Sequence, residues 1–379
     1  MSGQLNVLYL TFNPNRASTT SPTEGWFKHL RPRGLNPVLV SHRTGAFHAW
    51  AVQQGIPAYH VPLPWPKKWY PFPFLRSLWR LRRLVRRHHI DIIHCNEQNI
   101  YPTGQYLGRL CGLPVVVSVH CTIEAGFCRW AFGGVRRPRR VFFISRGSRE
   151  ACRPGMAGVV PEDRWRLLPN GLDLDHYRAE EDRGAEFRWQ HALNGELLVG
   201  AACALRPGKQ LEHLVEVVAR LNRADVKLAL AGGPVPGDET YARDLLDQAR
   251  TRLGERFLYL GHRDELRGLY NALDLCVNTS REEACSISIL EALACGCPVL
   301  GYPSKSVDEQ VLPGGGEMVA QDDVAGLTAA LGRWLADRNR LKAARPGARR
   351  RVEEDYDIRR LGDQLWDEYQ RLVEECSEH

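Results

Sequence analysis

The chain has 379 residues, of which 44% are hydrophobic and 25% charged, and its net charge is +7. This composition excludes a disordered or fibrous chain, and the length suits two domains of about 150–200 residues, each with its own core. The mild, Arg-heavy basicity admits an anionic ligand, a membrane surface or nucleic acid, and selects none of them.

In chain order, Leu5–Phe12, Asn36–His42, Ile90–Asn96, Pro114–His120 and Arg140–Arg146 are short runs rich in β-branched residues and read as buried strands. Stretches such as Phe74–His88 and Pro102–Cys111 read as helices between them. Within the basic, aromatic stretch Trp65–Asp91, Leu75, Leu78, Leu81 and Val85 are expected to face inward, and Arg76, Arg80, Arg83 and Arg87 outward. Such a face suits a membrane surface; the plainer reading is an ordinary solvated helix. No recognisable nucleic-acid module accompanies the charge.

The polar segment Leu167–Glu196, with Asn-Gly at 170–171 and 194–195, reads as a linker. A second series of strands follows at Leu197–Leu205, Val226–Gly233, Arg256–His262, Leu273–Ser280 and Gly296–Pro303. Helices at Leu211–Leu221, Glu239–Leu253 and Glu265–Ala272 separate them. Alternation of this kind predicts parallel, doubly wound α/β sheets, and two such series predict two facing Rossmann-like domains. "AGGP" (Ala231–Pro234) and "PGGG" (Pro313–Gly316) read as a bare turn and a loop. The final segment Ile358–Cys376 is a periodic helix whose apolar stripe, Leu361, Leu365, Tyr369 and Leu372, must dock somewhere.

Eleven Cys are scattered without a Cys-x-x-Cys pair, and Cys295-Gly-Cys297 is too tight for the usual structural zinc spacing, so no metal is expected. Free thiols fit a reducing cytoplasm. The first residues lack the basic region of a signal peptide, and no apolar run approaches the ~20 residues of a membrane span. The expected location is the cytoplasm, with a peripheral seat on the inner face of the cell membrane left open.

The chemistry concentrates in "SREEACSISILEALACGCPVLGYP" (Ser280–Pro303). Glu283 precedes a helix expected to start at Ser286 or Ser288, Glu291 lies inside it, and Gly296 and Pro298 end it. Between the two carboxylates lie the unpaired amides of a helix start, which favour anions. Two hydroxyl-seeking carboxylates flanking an anion suit a ribose, a diphosphate and a sugar in a row. A helix with one exposed and one capping Glu is the plainer alternative. Upstream, "ALRPGKQLEHL" (Ala204–Leu214) follows a strand and opens a helix, so Arg206 and Lys209 could neutralise a diphosphate. As an isolated pair they could equally be solvated.

The Glu-x7-Glu segment Glu283–Leu300, with its preamble Phe257–Glu282, is similar to the signature of the family-4 retaining glycosyltransferases. "IDIIHCN", "GLPVVVSVH", "LLPNGLD" and "LRPGK" stand in that family's order and spacing, over nearly the whole chain. The resemblance implies the GT-B fold, with the last helix crossing back to the N-terminal domain. It implies an acceptor-side domain of residues 1–176 plus 357–379 and a nucleotide-sugar-binding domain of residues 177–356. It further implies that Glu283 contacts the donor sugar and Glu291 the ribose. Amides around Ser286, Ile287 and Ser288, with Lys209, would hold the diphosphate, and Arg263 would stand by the base. His120 matches the family's His near the reacting sugar.

Transfer from a nucleoside diphosphate sugar to a hydroxyl acceptor is implied, with retention, no cofactor and no metal. The acceptor is unspecified, with lipid-linked compounds among the candidates, and nucleic acid is not expected. The rival readings are another GT-B-like enzyme, such as a nucleotide-sugar epimerase or a phosphorylase, and a non-catalytic surface-binding module. Three departures stand out. Ala204 occupies the family's Arg position, so that Arg206 is the candidate replacement. Ala284-Cys285-Ser286 replaces Gly-Phe-Gly. "RASTTSPTEGW" (Arg16–Trp26) replaces a Gly-Gly loop, with its hydroxyls and Gly25 as substitutes.

Overall fold

The computed structural model describes residues 3–15, 19–67, 69–304 and 306–377. The chain forms two compact units, Met1–Gly171 with Ile358–His379, and Leu172–Asp357. The N-terminal unit holds strands β1 (Leu5–Thr11), β2 (Leu35–Ser41), β3 (Ala58–His60), β4 (Ile92–Cys95), β5 (Val115–Val119), β6 (Arg140–Phe143) and β7 (Trp165–Leu167). All pair in parallel, in the order β3-β2-β1-β4-β5-β6-β7. The central strands are buried on both faces, which is why they read as continuous apolar runs rather than alternating ones.

The C-terminal unit repeats the plan with β8 (Leu197–Ala202), β9 (Val226–Ala231), β10 (Phe257–Gly261), β11 (Leu275–Asn278), β12 (Val299–Gly301) and β13 (Gly316–Met318). Their order is β10-β9-β8-β11-β12-β13, again all parallel. In each sheet the winding reverses once, between β1 and β4 and between β8 and β11. The loops leaving those two strands diverge there and open a crevice at their carboxyl ends.

Four details depart from the sequence reading. The segment read as a linker contains a helix, Glu181–Gln190, packed on the helix Arg267–Ala272. Its Gly184 lies so close to the Asn271 carbonyl that a Cβ would stand 2.6 Å from that oxygen. Arg188 binds the Ala272 carbonyl and Asp274. Polar pairing, not an apolar stripe, fastens this helix, so periodicity is weak. The run Pro313–Gly316 is not only a loop: Gly316 begins β13, and a Cβ there would sit 1.8 Å from the Val299 carbonyl oxygen. Gly25 lies in the helix Ser21–Leu30 against Ile358, where a Cβ would meet Cγ1 at 2.5 Å, so it is a packing glycine. Residues 16–18 of that stretch lie outside the described residues. Finally, Leu75 points outward. The inward stripe of the helix Phe72–Arg87 is Phe74, Ser77, Leu78, Leu81 and Val85; Phe74, at i, i+4, i+7 and i+11 with Leu78, Leu81 and Val85, takes the place expected of Leu75.

The C-terminal helix Ile358–Ser377 belongs to the N-terminal unit, as the resemblance implies. Leu361, Leu365, Tyr369 and Leu372 are buried with Trp26, Phe27 and Leu30 of the first helix. The Tyr369 hydroxyl hydrogen-bonds the Tyr9 hydroxyl at 2.8 Å and the Nδ1 of His94, whose Nε2 meets Ser118 Oγ at 2.8 Å. Burial pushes His94 down to about 3, so it stays neutral in this network. Glu368 adds ion pairs to Arg140 at 2.7 Å and Arg166 at 2.8 Å.

Candidate active site

In the C-terminal unit, two loops meet at the reversal point. The loop after β8 carries Arg206 and a 3-10 turn, Pro207–Lys209; the loop after β11 carries Glu283. Thr279 Oγ1 donates to the Lys209 carbonyl at 2.9 Å, and the Arg281 amide to the Gly208 carbonyl at 3.1 Å. These bonds bring the Lys209 ammonium onto Glu283 Oε1 in an ion pair whose side chains are only 11% and 12% exposed. Gln210 makes the sharp entry into the helix Leu211–Leu221 in the left-handed region, φ 46°. Its side-chain amide holds that conformation by donating to Asp322 Oδ1 at 2.8 Å.

Lys209, Glu283, Thr279, Ser288 and Ile289 line one crevice. The helix Ile287–Ala294 starts at its edge, just after Ser286, and stops where Gly296 takes φ 74°. Ser286 Oγ makes no cap bond; it meets Ser288 Oγ at 3.1 Å. The Ser286 amide is occupied by Gln310 Oε1 at 3.0 Å, and Gln310 Nε2 returns a bond to the Ser286 carbonyl. The amides of Ile287, Ser288 and Ile289 have no acceptor among the described residues. They form the positive end of the helix dipole beside a lysine.

Glu291 sits farther along the same helix. Tyr270 donates to its Oε2 at 2.9 Å, and Tyr177 bonds the same carboxylate. Burial pushes the Glu291 carboxyl up to about 7, while the two phenols pull the other way. Tyr177 comes from the stretch read as a linker. Asp173 Oδ1 accepts the Asp175 and His176 amides at 3.1 Å, and Arg349 binds the Tyr177 carbonyl at 2.7 Å.

Arg206 and Arg263 are exposed, on the loops after β8 and β10 respectively. No side-chain partner holds Arg206 among the described residues. Ala204 is partly buried at the start of its loop. Cys295 and Cys297 are buried free thiols at the end of the Glu291 helix.

In the N-terminal unit a cavity of about 620 Å³ opens at the corresponding reversal point, with Asn13, Arg43, Glu97, Gln98, Asn99 and His120 in its lining. His120 Nε2 contacts the Asn96 carbonyl at 2.8 Å. That contact requires the proton on Nε2, so Nδ1, buried and without a partner, is a free acceptor. Burial holds the ring down at about 4, hence neutral. Glu97 accepts from Thr11 Oγ1 and the Phe12 amide, both at 2.9 Å, and burial pushes it up to about 7.

Sequence reasoning missed Glu97, Arg43, Tyr177, Tyr270 and Gln310. Glu97 had a signal: it follows β4 by two residues, at the carboxyl end of a strand beside the reversal point. The tyrosines had none, because they reach Glu291 from other segments.

Two family models match this chain. One, described as a glycosyl transferase 4-like domain, matches residues 22–171; the other, described as glycosyl transferases group 1, matches residues 196–337. Together they take in most of the chain, which belongs to this glycosyltransferase family and has its GT-B fold of two Rossmann-like halves.

Among particular proteins, the chain is 26% identical over 234 residues to the uncharacterized glycosyltransferase MJ1607 of Methanocaldococcus jannaschii. That match covers 55% of this chain and 57% of the relative, less than two thirds of its length. It is 27% identical over 316 residues to a GDP-mannose-dependent alpha-(1-6)-phosphatidylinositol monomannoside mannosyltransferase of Mycolicibacterium smegmatis, covering 78% of this chain and 80% of that one. The crystal structure of Anabaena Alr3699/HepE in complex with UDP and glucose superposes with a TM-score of 0.84 over 97% of this chain and 100% of that chain. At 21% identity this likeness concerns the fold.

Proposed function

We propose that this chain transfers a sugar from a nucleoside diphosphate sugar to a hydroxyl acceptor with retention of anomeric configuration. The observation that carries the reading is the buried Lys209–Glu283 pair beside the unpaired amides of Ile287, Ser288 and Ile289. An ammonium has three donors, so Lys209 bonded to Glu283 keeps two for phosphate oxygens. A carboxylate has about four acceptor sites, so Glu283 keeps room for sugar hydroxyls. Amides at a helix start take the rest of the diphosphate charge. Glu291, with one oxygen held by Tyr270, accepts from the ribose diol. Ser286 and Ser288 hydroxyls line the phosphate, Arg206 approaches it from the rim, and Arg263 stands by the base.

The C–O bond from the anomeric carbon to the β-phosphate breaks as the acceptor oxygen bonds to the same face of that carbon. The acceptor's proton passes to the departing phosphate oxygen. Charge growing on that oxygen is met by Lys209 and the helix amides, which stabilise the transition state more than the ground state. His120, neutral, accepts from a sugar hydroxyl through Nδ1.

In this reading the C-terminal unit carries the donor and the N-terminal cavity the acceptor. The mycobacterial relative is named for a phosphatidylinositol mannoside, and its likeness supports a lipid-linked acceptor in glycan or glycolipid synthesis. The enzyme would then work in the cytoplasm, at the inner face of the membrane.

A thermal-shift panel of UDP-, GDP-, ADP- and dTDP-sugars tests the donor assignment. One member is expected to raise the melting temperature, as any ligand of the native state must. The same shift in Glu283→Gln and Lys209→Ala as in the wild type, or no shift with any donor, would count against it.

A further inference from the structure

We propose that the helix Phe72–Arg87 is a docking surface for an anionic phospholipid bilayer. Phe72, Leu75 and Trp79 stand at i, i+3 and i+7, on one face, and are 73%, 53% and 57% exposed. Trp69, just before the helix, is 97% exposed. Large apolar side chains gathered on a single outward face are unusual for a surface that meets only water.

Arg76, Arg80, Arg82, Arg83, Arg86 and Arg87 lie on the same helix, which contains no Asp or Glu. None of the six pairs with a carboxylate among the described residues. Elsewhere in the chain, Arg140, Arg188, Arg223 and Arg351 all do. No carboxylate among the described residues therefore forms an ion pair with this charge. An open groove of about 570 Å³ beside β3 gathers Arg80, Arg83 and Arg87 with Tyr59 and His60, a setting for phosphate headgroups. Arg83 lies over the Trp79 ring at 4.8 Å, which presents cation and ring together.

A bilayer covers both halves of this surface. Phe72, Leu75 and Trp79 enter the boundary between headgroups and acyl chains, while the arginines reach lipid phosphates. An oligonucleotide would neutralise the arginines but leave Leu75 and Phe72 in water. No helix among the described residues is long and apolar enough to cross a membrane, so the contact lies on the surface. The docking face also leads toward the N-terminal cavity: Trp65, in the segment entering the helix, donates from Nε1 to the carbonyl of Asn99 at 2.7 Å, and Asn99 lines that cavity.

The test reads vesicle binding, not transfer, so it stands apart from the donor assignment. The full chain is sedimented with vesicles of equimolar phosphatidylglycerol and phosphatidylcholine, and with pure phosphatidylcholine, at low salt. Wild type is expected to partition onto the anionic vesicles only. Arg80→Gln/Arg83→Gln/Arg87→Gln should lower that partition on the order of a hundredfold. Phe72→Ser/Trp79→Ser should lower it on the order of tenfold, with the remainder removed by salt. Both variants alter exposed side chains, so their melting temperatures should match wild type. The proposal is overturned by absence of binding to anionic vesicles or by unchanged binding in both variants. Tighter binding to a mixed-sequence oligonucleotide than to vesicles at the same salt also overturns it.

Discussion

Lys209 and Glu283 meet as an ion pair across two loops that start from different strands, with each side chain about nine-tenths buried. Removing one partner strands the other charge in a poorly solvated crevice. Glu283→Gln is therefore expected to destabilise the chain by about 3 kcal/mol. The double variant Lys209→Met/Glu283→Gln should recover most of that loss. Transfer should stay down by about 10²–10³ in both, because the single variant lacks the carboxylate assigned to the sugar hydroxyls and the double variant also lacks the ammonium that meets the leaving phosphate. Urea unfolding beside initial rates separates the two effects; recovery of activity in the double variant would remove the pair from the chemistry.

Glu291 titrates near 7 because it is buried; in the proposed role it must be ionised to accept both ribose hydroxyls. Donor affinity should therefore rise with pH through about 7 and become pH-independent in Glu291→Gln. The Tyr177 bond holds this carboxyl down, so Tyr177→Phe should move the midpoint to higher pH. Calorimetric donor titrations across pH check it; an unmoved midpoint would show that Tyr177 does not bear on the site.

Glu97 is also raised, to about 7 from an ordinary value of 4.5, so the folded state holds its proton more tightly than the unfolded chain. Its contribution to stability is fully present below about 4.5 and is lost as pH rises through about 7. Melting temperatures of wild type relative to Glu97→Gln should fall across that window. A flat difference would mean that the carboxyl titrates in the folded chain as it does in the unfolded one.

His120 is held at about 4, so it stays neutral from mildly acidic pH upward. The kcat profile should lack a limb near 6.5 from this ring. His120→Ala should lower kcat by about tenfold to a hundredfold, the cost of one hydrogen bond to a reacting group. A wild-type limb near 6.5 that disappears in His120→Ala would contradict a neutral role.

Leu365 is fully buried between the C-terminal helix and the first helix. Leu365→Ala should cost about 2–5 kcal/mol, measured by urea unfolding. A loss well below that range would mean that the helix is loosely docked.

Much of this molecule is legible in its sequence. The central strands are runs of Val, Ile and Leu because both faces of a parallel sheet are covered, and that pattern needs no partner to be recognised. The helices Leu211–Leu221 and Glu239–Leu253 have the bounds read from their periodicity. Short edge strands such as β3 and β13 were not legible, since three residues carry too little pattern. The helix Glu181–Gln190 was missed because its polar face hides it.

The two series of strands, the stripe of the last helix and the Glu-x7-Glu segment can all be read from spacing along the chain. The pairing of Lys209 with Glu283, the hold of Tyr177 and Tyr270 on Glu291, and the bond of Gln310 to the Ser286 amide emerge only in the folded chain. Each of those contacts joins residues far apart in sequence, so no local period encodes it. Parallel pairing of β8 with β11 brings their loops to one place, and the low polarity there makes each unpaired charge costly enough to find its partner.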